Sequence, residues 1–306
     1  MGGPGTGRGA FRKRREGAGV KDAAIYDMEH GEISWCPGCG DFQILEALKK
    51  ALAELDLEPH QVVAVSGIGQ AAKLPHYMKC HFFNGLHGRA LSNATAIKVA
   101  NPEMVVLAIG GDGDMYGEGG NHFLHTIRRN PDIANFVHNN MVYGLTKGQA
   151  SPTSPLGFRS PTSPEGVSNL PMNPLAVAIA LGASFVARAF SGDVEKTKEI
   201  MKRAILHKGY ALVDIFQPCV SFNKTNTFKW YRDNTYYVGP EHNPLERQAA
   251  MALALQTDRW PLGVLFVNPH PTFEETRDAY GDDPRPLFRR RRDPRVVREY
   301  LEANYR

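Results

Sequence analysis

Residues 104–113, MVVLAIGGDG, decide the fold of this chain. The apolar run Met104–Ile109 predicts a buried parallel strand, because a strand covered on both faces is apolar at every position. The strand leads into Gly111-Asp112-Gly113, a carboxylate between two glycines, where the backbone can approach a ligand closely. A second predicted strand, Ile133–His138, ends in Asn139-Asn140. A carboxylate and a carboxamide at neighbouring strand ends supply the oxygen ligands that Mg²⁺ prefers, typically together with a diphosphate.

Helical and strand patterns alternate from about residue 40 onward. Asp41 is predicted to cap a first helix, whose apolar face carries Ile44, Leu45, Leu48, Leu52 and Leu55. Further helices are predicted at 121–129, 175–181 and 194–207. Strands are predicted at 62–66, 104–109, 133–138, 185–187 and 211–216. This alternation predicts an α/β fold with a doubly wound, mostly parallel sheet, whose ligands bind at the carboxyl ends of the strands.

The proline-rich segment 149–174 predicts a loop rather than regular structure. Within it, Ser151–Pro155 and Ser160–Pro164 repeat the sequence SPTSP. Long loops in compact domains are commonly functional, and this one begins close to the second polar motif. After about residue 230 the chain becomes aromatic and polar, then apolar again at 262–267. This change predicts a C-terminal appendage packed on the domain or on a partner.

The composition is that of a globular chain rather than a membrane protein. The chain has 306 residues, 42% of them hydrophobic, which suffices for a sizeable core. No apolar run approaches the roughly 18 residues of a membrane-spanning helix. The basic N-terminal stretch lacks the apolar segment of a secretory signal. We therefore expect a cytoplasmic protein with no membrane association.

Positive charge is concentrated at the two ends. Residues 1–22 carry six Lys/Arg against two acidic residues, and residues 285–306 carry eight Arg against three. We expect a basic disordered arm (1–22), a ligand-binding α/β domain (23–229), the appendage (230–284) and an Arg-rich tail (285–306). The tails are interpreted as solubilising ends. The alternatives are docking of an acidic electron carrier and contact with nucleic acid, although no aromatic or glycine pattern accompanies the charge.

Four cysteines are present: Cys36, Cys39, Cys80 and Cys219. The first two form a C-x2-C motif, whose spacing places two thiolates on one metal ion or one cluster edge. Four is the number that a [4Fe–4S] cluster or an all-cysteine zinc site requires. An inert turn with two unrelated buried cysteines is the alternative, and a zinc ribbon normally brings two C-x2-C pairs. Disulfides are not expected in a cytoplasmic protein.

The spacing of GDG and the paired asparagines resembles the thiamine diphosphate motif. The surrounding residues Gly111–Asp114, Asn121-His122 and Tyr143–Gln149 (YGLTKGQ) narrow the resemblance to the β subunit of the 2-oxoacid:ferredoxin oxidoreductases. The similarity is dense from about residue 35 to 214 and looser to about 273. It implies a thiamine diphosphate-binding sheet. It further implies that Mg²⁺ is bound by Asp112, Asn140 and the main-chain carbonyl of Val142.

The resemblance also implies one [4Fe–4S] cluster. Family members have CPGC near the N-terminus, a third cysteine directly after Gly-Ile-Gly and a fourth in a Gln-Pro-Cys context. Cys36, Cys39 and Cys219 match, whereas Gly67-Ile68-Gly69 is followed by Gln70. We infer that Cys80 replaces the missing ligand from a neighbouring position of the backbone.

The remaining site residues are also carried over from the family. Lys147 stands where pyruvate-specific relatives tend toward glycine, so its ammonium group is a candidate for the distal carboxylate of 2-oxoglutarate. His87, in an LHGR signature, is a candidate contact to substrate or cofactor. The glutamate that activates the cofactor is expected on the α subunit, so no catalytic residue is assigned to this chain. The predicted cofactor-binding residues are Ile68, Gly69, Gln70, Ala71, His87, Gly113, Asp114, Gly144 and Leu145.

The predicted function is that of the β subunit of a 2-oxoacid:ferredoxin oxidoreductase of the 2-oxoglutarate type, active only with its α subunit. It would catalyse the CoA-dependent oxidative decarboxylation of a 2-oxoacid to acyl-CoA and CO2 with reduction of ferredoxin, or the reverse. Thiamine diphosphate supplies the electron sink for decarboxylation, and the cluster accepts electrons singly. The alternatives are a non-redox decarboxylase subunit, with the cysteines binding zinc or nothing, and a nucleic-acid-binding protein acting through its basic tails.

Overall fold

A computed structural model of the chain describes residues 21–277, 285–290 and 293–305. The α-helices are α1 (Asp41–Glu54), α2 (Ala90–Ala100), α3 (Gly120–Arg129), α4 (Pro174–Ala180), α5 (Val194–Leu206), α6 (Phe228–Asn234), α7 (Arg247–Ala254) and α8 (Pro294–Asn304). The strands are β1 (Val62–Ser66), β2 (His81–Asn84), β3 (Val105–Gly111), β4 (Ala134–Asn139), β5 (Val142–Tyr143), β6 (Gln149–Ala150), β7 (Phe185–Phe190), β8 (Ala211–Phe216), β9 (Thr235–Tyr237) and β10 (Trp260–Val267). Short 3-10 helices cover Ala23–Tyr26, Pro59–Gln61, Ala71–Tyr77 and Leu287–Arg289, and a π-helix covers Gly113–Glu118.

Within the described residues, eight strands form one sheet in the order β2-β1-β3-β4-β8-β7-β10-β9. The strands from β2 to β7 in this order pair in parallel, whereas β10 runs antiparallel to β7. Strand β2 lies on one side of β1, and β3 with all the later strands of this sheet lies on the other side. The predicted doubly wound, mostly parallel fold is therefore confirmed. Its switch point lies between β1 and β3, where such sheets bind ligands.

Helices cover both faces of the sheet. Successive residues of β3 point to opposite faces, so Leu107 belongs to one core cluster and Ala108 to the other. The first cluster includes Leu48 of α1 and Met201 of α5. The second includes Phe123 of α3, together with buried residues of α2, α4 and α7. Because the central strands are covered on both sides, their sequences are apolar throughout, which is why the pattern at 104–109 is informative.

The helix predicted from Asp41 is confirmed at Asp41–Glu54, but Asp41 does not cap it. Gly40 occupies the N-cap position, and Asp41 is the first helical residue, 1% exposed. Its Oδ1 lies 2.6 Å from Nδ1 of the buried His138 in β4. The capping prediction was wrong because it considered only the local sequence and missed a partner on a distant strand.

Two elements at one end of the sheet were not predicted. The edge strand β2 is exposed at all four positions, so its sequence HFFN has no alternation of apolar and polar residues. Helix α2, ALSNATAIKVA, is built from small and mixed residues, and it buries only Ala90, Leu91, Ala94 and Lys98. Neither segment carries the periodicity on which a prediction depends.

The predicted C-terminal appendage packs on the domain itself and extends its sheet. Strand β10 pairs with β7, with a register shift between Val264 and Phe266, and β9 pairs with β10. Ala250 of α7 is fully buried in the second core cluster. The predicted boundary at 229/230 falls inside α6, Phe228–Asn234.

The basic ends are described only in part. Residues 1–20 of the predicted arm lie outside the described residues, and the Arg-rich tail is described at 285–290 and 293–305. Helix α8 in this tail is exposed at every position. No helix among the described residues is long and apolar enough to cross a membrane.

A buried ion pair lies close to the carboxyl edge of the sheet. Arg188 in β7 is in register with Asp214 in β8, and its Nε lies 3.5 Å from Oδ2 of that carboxylate. At this distance the two groups form an ion pair rather than a well-aligned hydrogen bond. The Tyr116 hydroxyl and Asn139 Nδ2 donate hydrogen bonds to Asp214 Oδ1 at 2.9 and 3.1 Å. Asp214 thus joins β7, β4 and the π-helix.

Arg188→Met is expected to lower the free energy of unfolding by about 3–5 kcal/mol, because it leaves a buried carboxylate without its counter-charge. Urea denaturation at neutral pH, followed by circular dichroism, measures this loss. The double variant Arg188→Met/Asp214→Asn removes the stranded charge and should regain part of the stability. An equal loss in the double variant would mean that Arg188 contributes mainly by packing over the Phe216 ring, 4.8 Å away.

Candidate functional site

The two polar motifs meet at the carboxyl edge of the sheet. Strands β3 and β4 are neighbours, and Gly111 is in register with His138. The residues that follow, Asp112 and Asn139, therefore leave adjacent strands at the same level. The loop after β1 and the loop after β8 flank them on either side, because β1 and β8 pair with β3 and β4.

Asp112 is buried, and the first SPTSP sequence supplies its hydrogen-bond partners. Ser151 Oγ and Thr153 Oγ1 donate to Asp112 Oδ2 at 2.5 and 2.6 Å. Ser154 Oγ donates to the carbonyl of Met141 at 2.6 Å and so holds the loop in place. Burial raises the pKa of Asp112 to about 6, although the two hydroxyl groups act in the opposite direction. Such a carboxylate suits a cation, because a nearby positive charge offsets the penalty of burying its charged form.

The paired asparagines have different roles. Asn139 is buried, and its Nδ2 donates to Asp214 within the network described above. Asn140 is only half-buried; its Nδ2 donates to Gln217 Oε1 at 2.9 Å, and its Oδ1 accepts from the Val142 amide at 3.1 Å. Asn139 therefore belongs to the structural network, whereas Asn140 and Val142 lie together at the site. The assignment of Asp112, Asn140 and the Val142 carbonyl to Mg²⁺ stays a prediction.

Gly113 allows a tyrosine to pack against the start of the π-helix. A Cβ atom at Gly113 would lie 2.2 Å from the Tyr143 ring, and one at Gly117 would lie 2.3 Å from its hydroxyl oxygen. Tyr143 donates to the Gly113 carbonyl at 3.2 Å. The predicted cofactor residue Gly113 is thus required for close contact between the loops after β3 and β4.

Asp114 organises the loops that carry most of the predicted cofactor residues. Its Oδ1 accepts hydrogen bonds from the amides of Ile68 and Gly88 at 3.1 and 2.8 Å, and it lies 2.9 Å from His87 Nδ1. A Cβ atom at Gly67 would lie 2.2 Å from Asp114 Oδ2, so only glycine fits there. Burial raises the pKa of Asp114. The side chain of Asp114 therefore holds the β1 loop and the LHGR loop together.

The rest of the β1 loop lies close to the GDG motif. Gly69 has a left-handed backbone, with φ of +114°. The Gln70 carbonyl accepts from Trp35 Nε1 at 2.9 Å, which joins this loop to the segment before Cys36. Ala71 is buried, and its Cβ would lie 3.9 Å from a Cβ at Gly111. The structure thus brings the predicted residues of this turn to the site.

Lys147 lies at the tip of the hairpin between β5 and β6. These strands pair antiparallel, and Gly148 N donates to the Tyr143 carbonyl at 2.9 Å across the turn. Lys147 is exposed and has φ of +83°, a conformation that is uncommon for residues other than glycine. Leu145 in the same turn is 41% exposed. The hairpin therefore presents an ammonium group and an apolar side chain from the loop that follows Asn140.

Three of the four cysteines lie around the loop after β8. Gly40 N donates to the Pro218 carbonyl at 3.3 Å, and a Cβ at Gly40 would lie 3.0 Å from Gln217 Cγ, so the CPGCG turn packs closely on the loop after β8. In this contact Ser221 Oγ lies 3.1 Å from Cys36 Sγ, and Gln217 Nε2 lies 3.3 Å from Cys39 Sγ. Burial and the neighbouring Asp41 carboxylate raise the pKa of the Cys39 thiol. Within the described residues, no three His, Cys, Asp or Glu side chains are arranged to hold a single metal ion.

Cys80 lies near the amino-terminal ends of the strands, opposite the carboxyl edge that carries Asp112 and Asn140. Since Val63 is in register with His81, Cys80 is level with the beginning of β1, whereas Cys219 lies beyond the end of β8. Strands rise about 3.3 Å per residue, so the two edges are roughly 15 Å apart. Burial raises the pKa of the Cys80 thiol to about 12. This geometry argues against the prediction that Cys80 replaces the missing cluster ligand.

Sequence reasoning missed four polar residues that complete the site: Ser151, Thr153, Asp214 and Gln217. The repeated SPTSP sequence is visible, but it indicates only a loop, because nothing local shows that its hydroxyl groups reach Asp112. The sequence Gln217-Pro218-Cys219 draws attention only to its cysteine. Asp214 lies in β8 and Gln217 directly follows it. The signal that could have found both is a polar residue near the carboxyl end of an apolar strand.

Comparison with known proteins defines the class of this fold and site. A family model described as "Thiamine pyrophosphate enzyme, C-terminal TPP binding domain" matches residues 60–215. A second family model, which describes the C-terminal part of the pyruvate ferredoxin oxidoreductase beta subunit, matches residues 219–282. The first match spans β1 to β4 and the loops that carry Asp112, Asn140 and Ser151. The chain therefore contains the cofactor-binding domain of the thiamine pyrophosphate enzymes.

Relatives narrow this class to one family. The chain is 47% identical over 256 residues to "2-oxoacid:ferredoxin oxidoreductase 1, subunit beta" of Aeropyrum pernix, covering 79% of this chain and 80% of the relative. It is 42% identical over 192 residues to "2-oxoglutarate oxidoreductase subunit KorB" of Mycobacterium tuberculosis, covering 63% of this chain and 52% of that one. A 2-oxoglutarate:ferredoxin oxidoreductase from Magnetococcus marinus has a similar structure, with a TM-score of 0.82, 36% identity, and coverage of 92% and 91%. The chain belongs to the β-subunit family of the 2-oxoacid:ferredoxin oxidoreductases.

Proposed function

We propose that this chain, together with an α subunit, catalyses the CoA-dependent oxidative decarboxylation of 2-oxoglutarate with ferredoxin as electron acceptor, or the reverse reaction. The observation that carries the proposal is the contact between the two predicted cofactor sites. A Cβ atom at Gly144 would lie 4.0 Å from both Asn140 Nδ2 and Cys219 Sγ. The proposed metal ligand and a proposed cluster ligand thus both lie next to the same glycine. A non-redox decarboxylase would not require a thiol in this position.

Asp112, Asn140 and the Val142 carbonyl are the proposed ligands of Mg²⁺. The donor set fits the ion, because it combines a buried carboxylate with an amide and a main-chain oxygen. The hydroxyl groups of Ser151 and Thr153 both reach Oδ2 of Asp112, which orients the carboxylate. Thiamine diphosphate, held through this ion, would supply the electron sink for decarboxylation. The loops around Ile68, Gly113 and Gly144 would line its diphosphate and ring.

The double variant Ser151→Ala/Thr153→Val is expected to weaken Mg²⁺-dependent cofactor binding by about 10–100-fold, as loss of residues that orient a metal ligand typically does. Calorimetric titration of the αβ complex with thiamine diphosphate at several Mg²⁺ concentrations measures it. The second SPTSP sequence offers a matched control, because Ser160 is half-exposed and Thr162 is exposed. Ser160→Ala/Thr162→Val should leave binding unchanged. Equal effects of the two doubles would show that the loop acts through its fold and not through Asp112.

Cys36, Cys39 and Cys219 are the proposed ligands of an iron–sulfur cluster. Their chemistry fits, since three thiols on two packed loops can approach one cluster. Gln70 stands where the resemblance expects a further cysteine, and its Oε1 is buried without a hydrogen-bond partner among the described residues. A [4Fe–4S] cluster bound here would therefore have one iron without a cysteine from this chain. Cluster binding requires deprotonated thiols, so it must overcome the raised pKa of Cys39.

The proposed substrate follows from Lys147 and from the related Magnetococcus marinus structure, which is described with 2-oxoglutarate, coenzyme A and succinyl-CoA bound. Lys147→Ala is expected to lower kcat/KM for 2-oxoglutarate by roughly 10–100-fold, because a charge-assisted hydrogen bond contributes about 1.5–3 kcal/mol. Steady-state assays of the complex measure it. Pyruvate, which lacks the distal carboxylate, is the internal control and should change little. An unchanged preference between the two substrates would remove Lys147 from this role.

The complex as a whole tests the proposed function. The α subunit would supply the activating glutamate, and ferredoxin would accept the electrons from the cluster. Anaerobic co-expression of both subunits, followed by iron, sulfide and thiamine analysis, should yield all three components. The complex should then reduce ferredoxin with 2-oxoglutarate only when coenzyme A is present. A complex that decarboxylates 2-oxoglutarate but contains no iron would contradict the redox reaction while leaving the thiamine site intact.

A further inference from the structure

Gln217 lies between the two groups of proposed cofactor ligands. It follows β8 directly and is 1% exposed. Because Phe216 is in register with Asn139, the backbone amide of Gln217 continues the ladder and donates to the Asn139 carbonyl at 3.0 Å. The side chain of Gln217 is therefore fixed between Asn140, which directly follows β4, and the CPGC turn. Its place depends on the register of the central sheet rather than on a mobile loop.

The carboxamide of Gln217 makes a contact at each end. Its Oε1 accepts a hydrogen bond from Asn140 Nδ2 at 2.9 Å. Its Nε2 donates to Cys39 Sγ at 3.3 Å and to the Pro218 carbonyl at 3.0 Å. The Pro218 carbonyl can only accept, so it fixes which end of the amide is the donor. A flipped amide would place two donors together at Asn140 and two acceptors together at Pro218.

We propose that Gln217 is a positioning residue that couples the metal site to the cluster. By accepting from Asn140 Nδ2, it fixes the amide of that asparagine, so that Oδ1, which also accepts from the Val142 amide, would be available to the cation. By donating to Cys39 Sγ, it would withdraw electron density from this sulfur in the cluster-bound state, and hydrogen bonds to sulfur tune the reduction potential of such clusters. The inference rests on the proposed function, because it presupposes that both cofactors bind this chain.

Two substitutions separate the two contacts. Gln217→Glu keeps an acceptor for Asn140 but loses the donor to Cys39, whereas Gln217→Leu loses both. In the anaerobically purified αβ complex, both variants should lower the midpoint potential of the cluster, measured by redox titration with electron paramagnetic resonance. Only Gln217→Leu should weaken Mg²⁺-dependent binding of thiamine diphosphate, by about 10–100-fold. A purely structural role would not produce this separation.

Gln61→Leu is the matched control. Gln61 lies before β1 at the opposite edge of the sheet, where its Oε1 accepts from the Glu58 amide at 2.8 Å. This variant should change neither the potential nor the Mg²⁺ dependence. An unchanged midpoint potential in Gln217→Glu would overturn the inference, even if Gln217→Leu does not fold. The wild-type complex distinguishes this failure from a failure of the proposed function. If it contains iron and has CoA-dependent activity, the proposed function stands without the role of Gln217. If it contains no iron, both the proposed redox function and the role of Gln217 are overturned.

Discussion

Asp112→Asn is expected to abolish thiamine diphosphate binding and, with it, the activity of the αβ complex. Asparagine has nearly the same volume, but it removes the negative charge that the cation needs and introduces a donor toward the hydroxyl groups of Ser151 and Thr153. Loss of residues that merely orient a metal ligand typically costs about 10–100-fold in affinity, so loss of a ligand should cost more than about 100-fold. Calorimetric titration with thiamine diphosphate in the presence of Mg²⁺ measures this effect.

The control must show that the loss is specific to the metal site. Asp56→Asn makes the same chemical change at a half-buried turn after α1, far from the GDG motif in the sequence, where the left-handed backbone, with φ of +53°, suits asparagine. It should bind the cofactor normally. The Asp112 variant should also retain the urea midpoint of the wild type, or exceed it, because a neutral side chain is easier to bury. Full cofactor affinity in Asp112→Asn would refute the assignment of this carboxylate to Mg²⁺.

The sequence predicted the central architecture because the parallel strands are apolar throughout. Strands β3, β4 and β8 were placed within one or two residues of their observed bounds. Their carboxyl ends carry Asp112 and Asn140, so the relation between the two motifs followed from the fold class alone. Edge elements such as β2 were missed, since an exposed strand has no hydrophobic pattern.

Contacts between distant segments could not be predicted in the same way. The partner of Asp41 is His138, and the partners of Asp112 are Ser151 and Thr153. In each case a short polar side chain also has a plausible local role, as a cap or as a turn residue. Only the packing of the sheet and its loops decides between the local and the distant partner.

The prediction that Cys80 is a cluster ligand depended on the number of cysteines and on their spacing along the chain. Cys80 follows the expected ligand position by only ten residues, and it is the one cysteine that remained to complete the set. The intervening segment, however, contains the 3-10 helix Ala71–Tyr77, which returns the chain to the beginning of β1. A thiol level with the beginning of β1 would have to move, together with β2, to approach the other three cysteines.

The cysteine variants are expected to separate into two groups by iron content. Cys36→Ser, Cys39→Ser and Cys219→Ser should each lose most of the bound iron and sulfide, because a cluster held by three thiolates has no spare ligand. Cys80→Ser should keep the wild-type content, since Cys80 is level with the beginning of β1, whereas the other three cysteines lie around the loop after β8. Chemical iron and sulfide analysis of anaerobically purified αβ complexes measures the four contents directly. All four complexes should still bind thiamine diphosphate, which shows that the domain has folded.

Gln70→Cys extends this test to the position directly after Gly67-Ile68-Gly69, where family members have a cysteine. The buried Oε1 of Gln70 would be replaced by a thiol next to the segment that contains Cys36, because Trp35 Nε1 contacts the Gln70 carbonyl. A fourth thiolate should protect the cluster against loss of iron on exposure to air, compared with the wild type. If instead Cys80→Ser lost its iron as completely as Cys39→Ser, the cluster would require the thiol at the amino-terminal edge. Strand β2, which directly follows Cys80, would then have to leave the sheet in the assembled complex and could not pair with β1 as it does here.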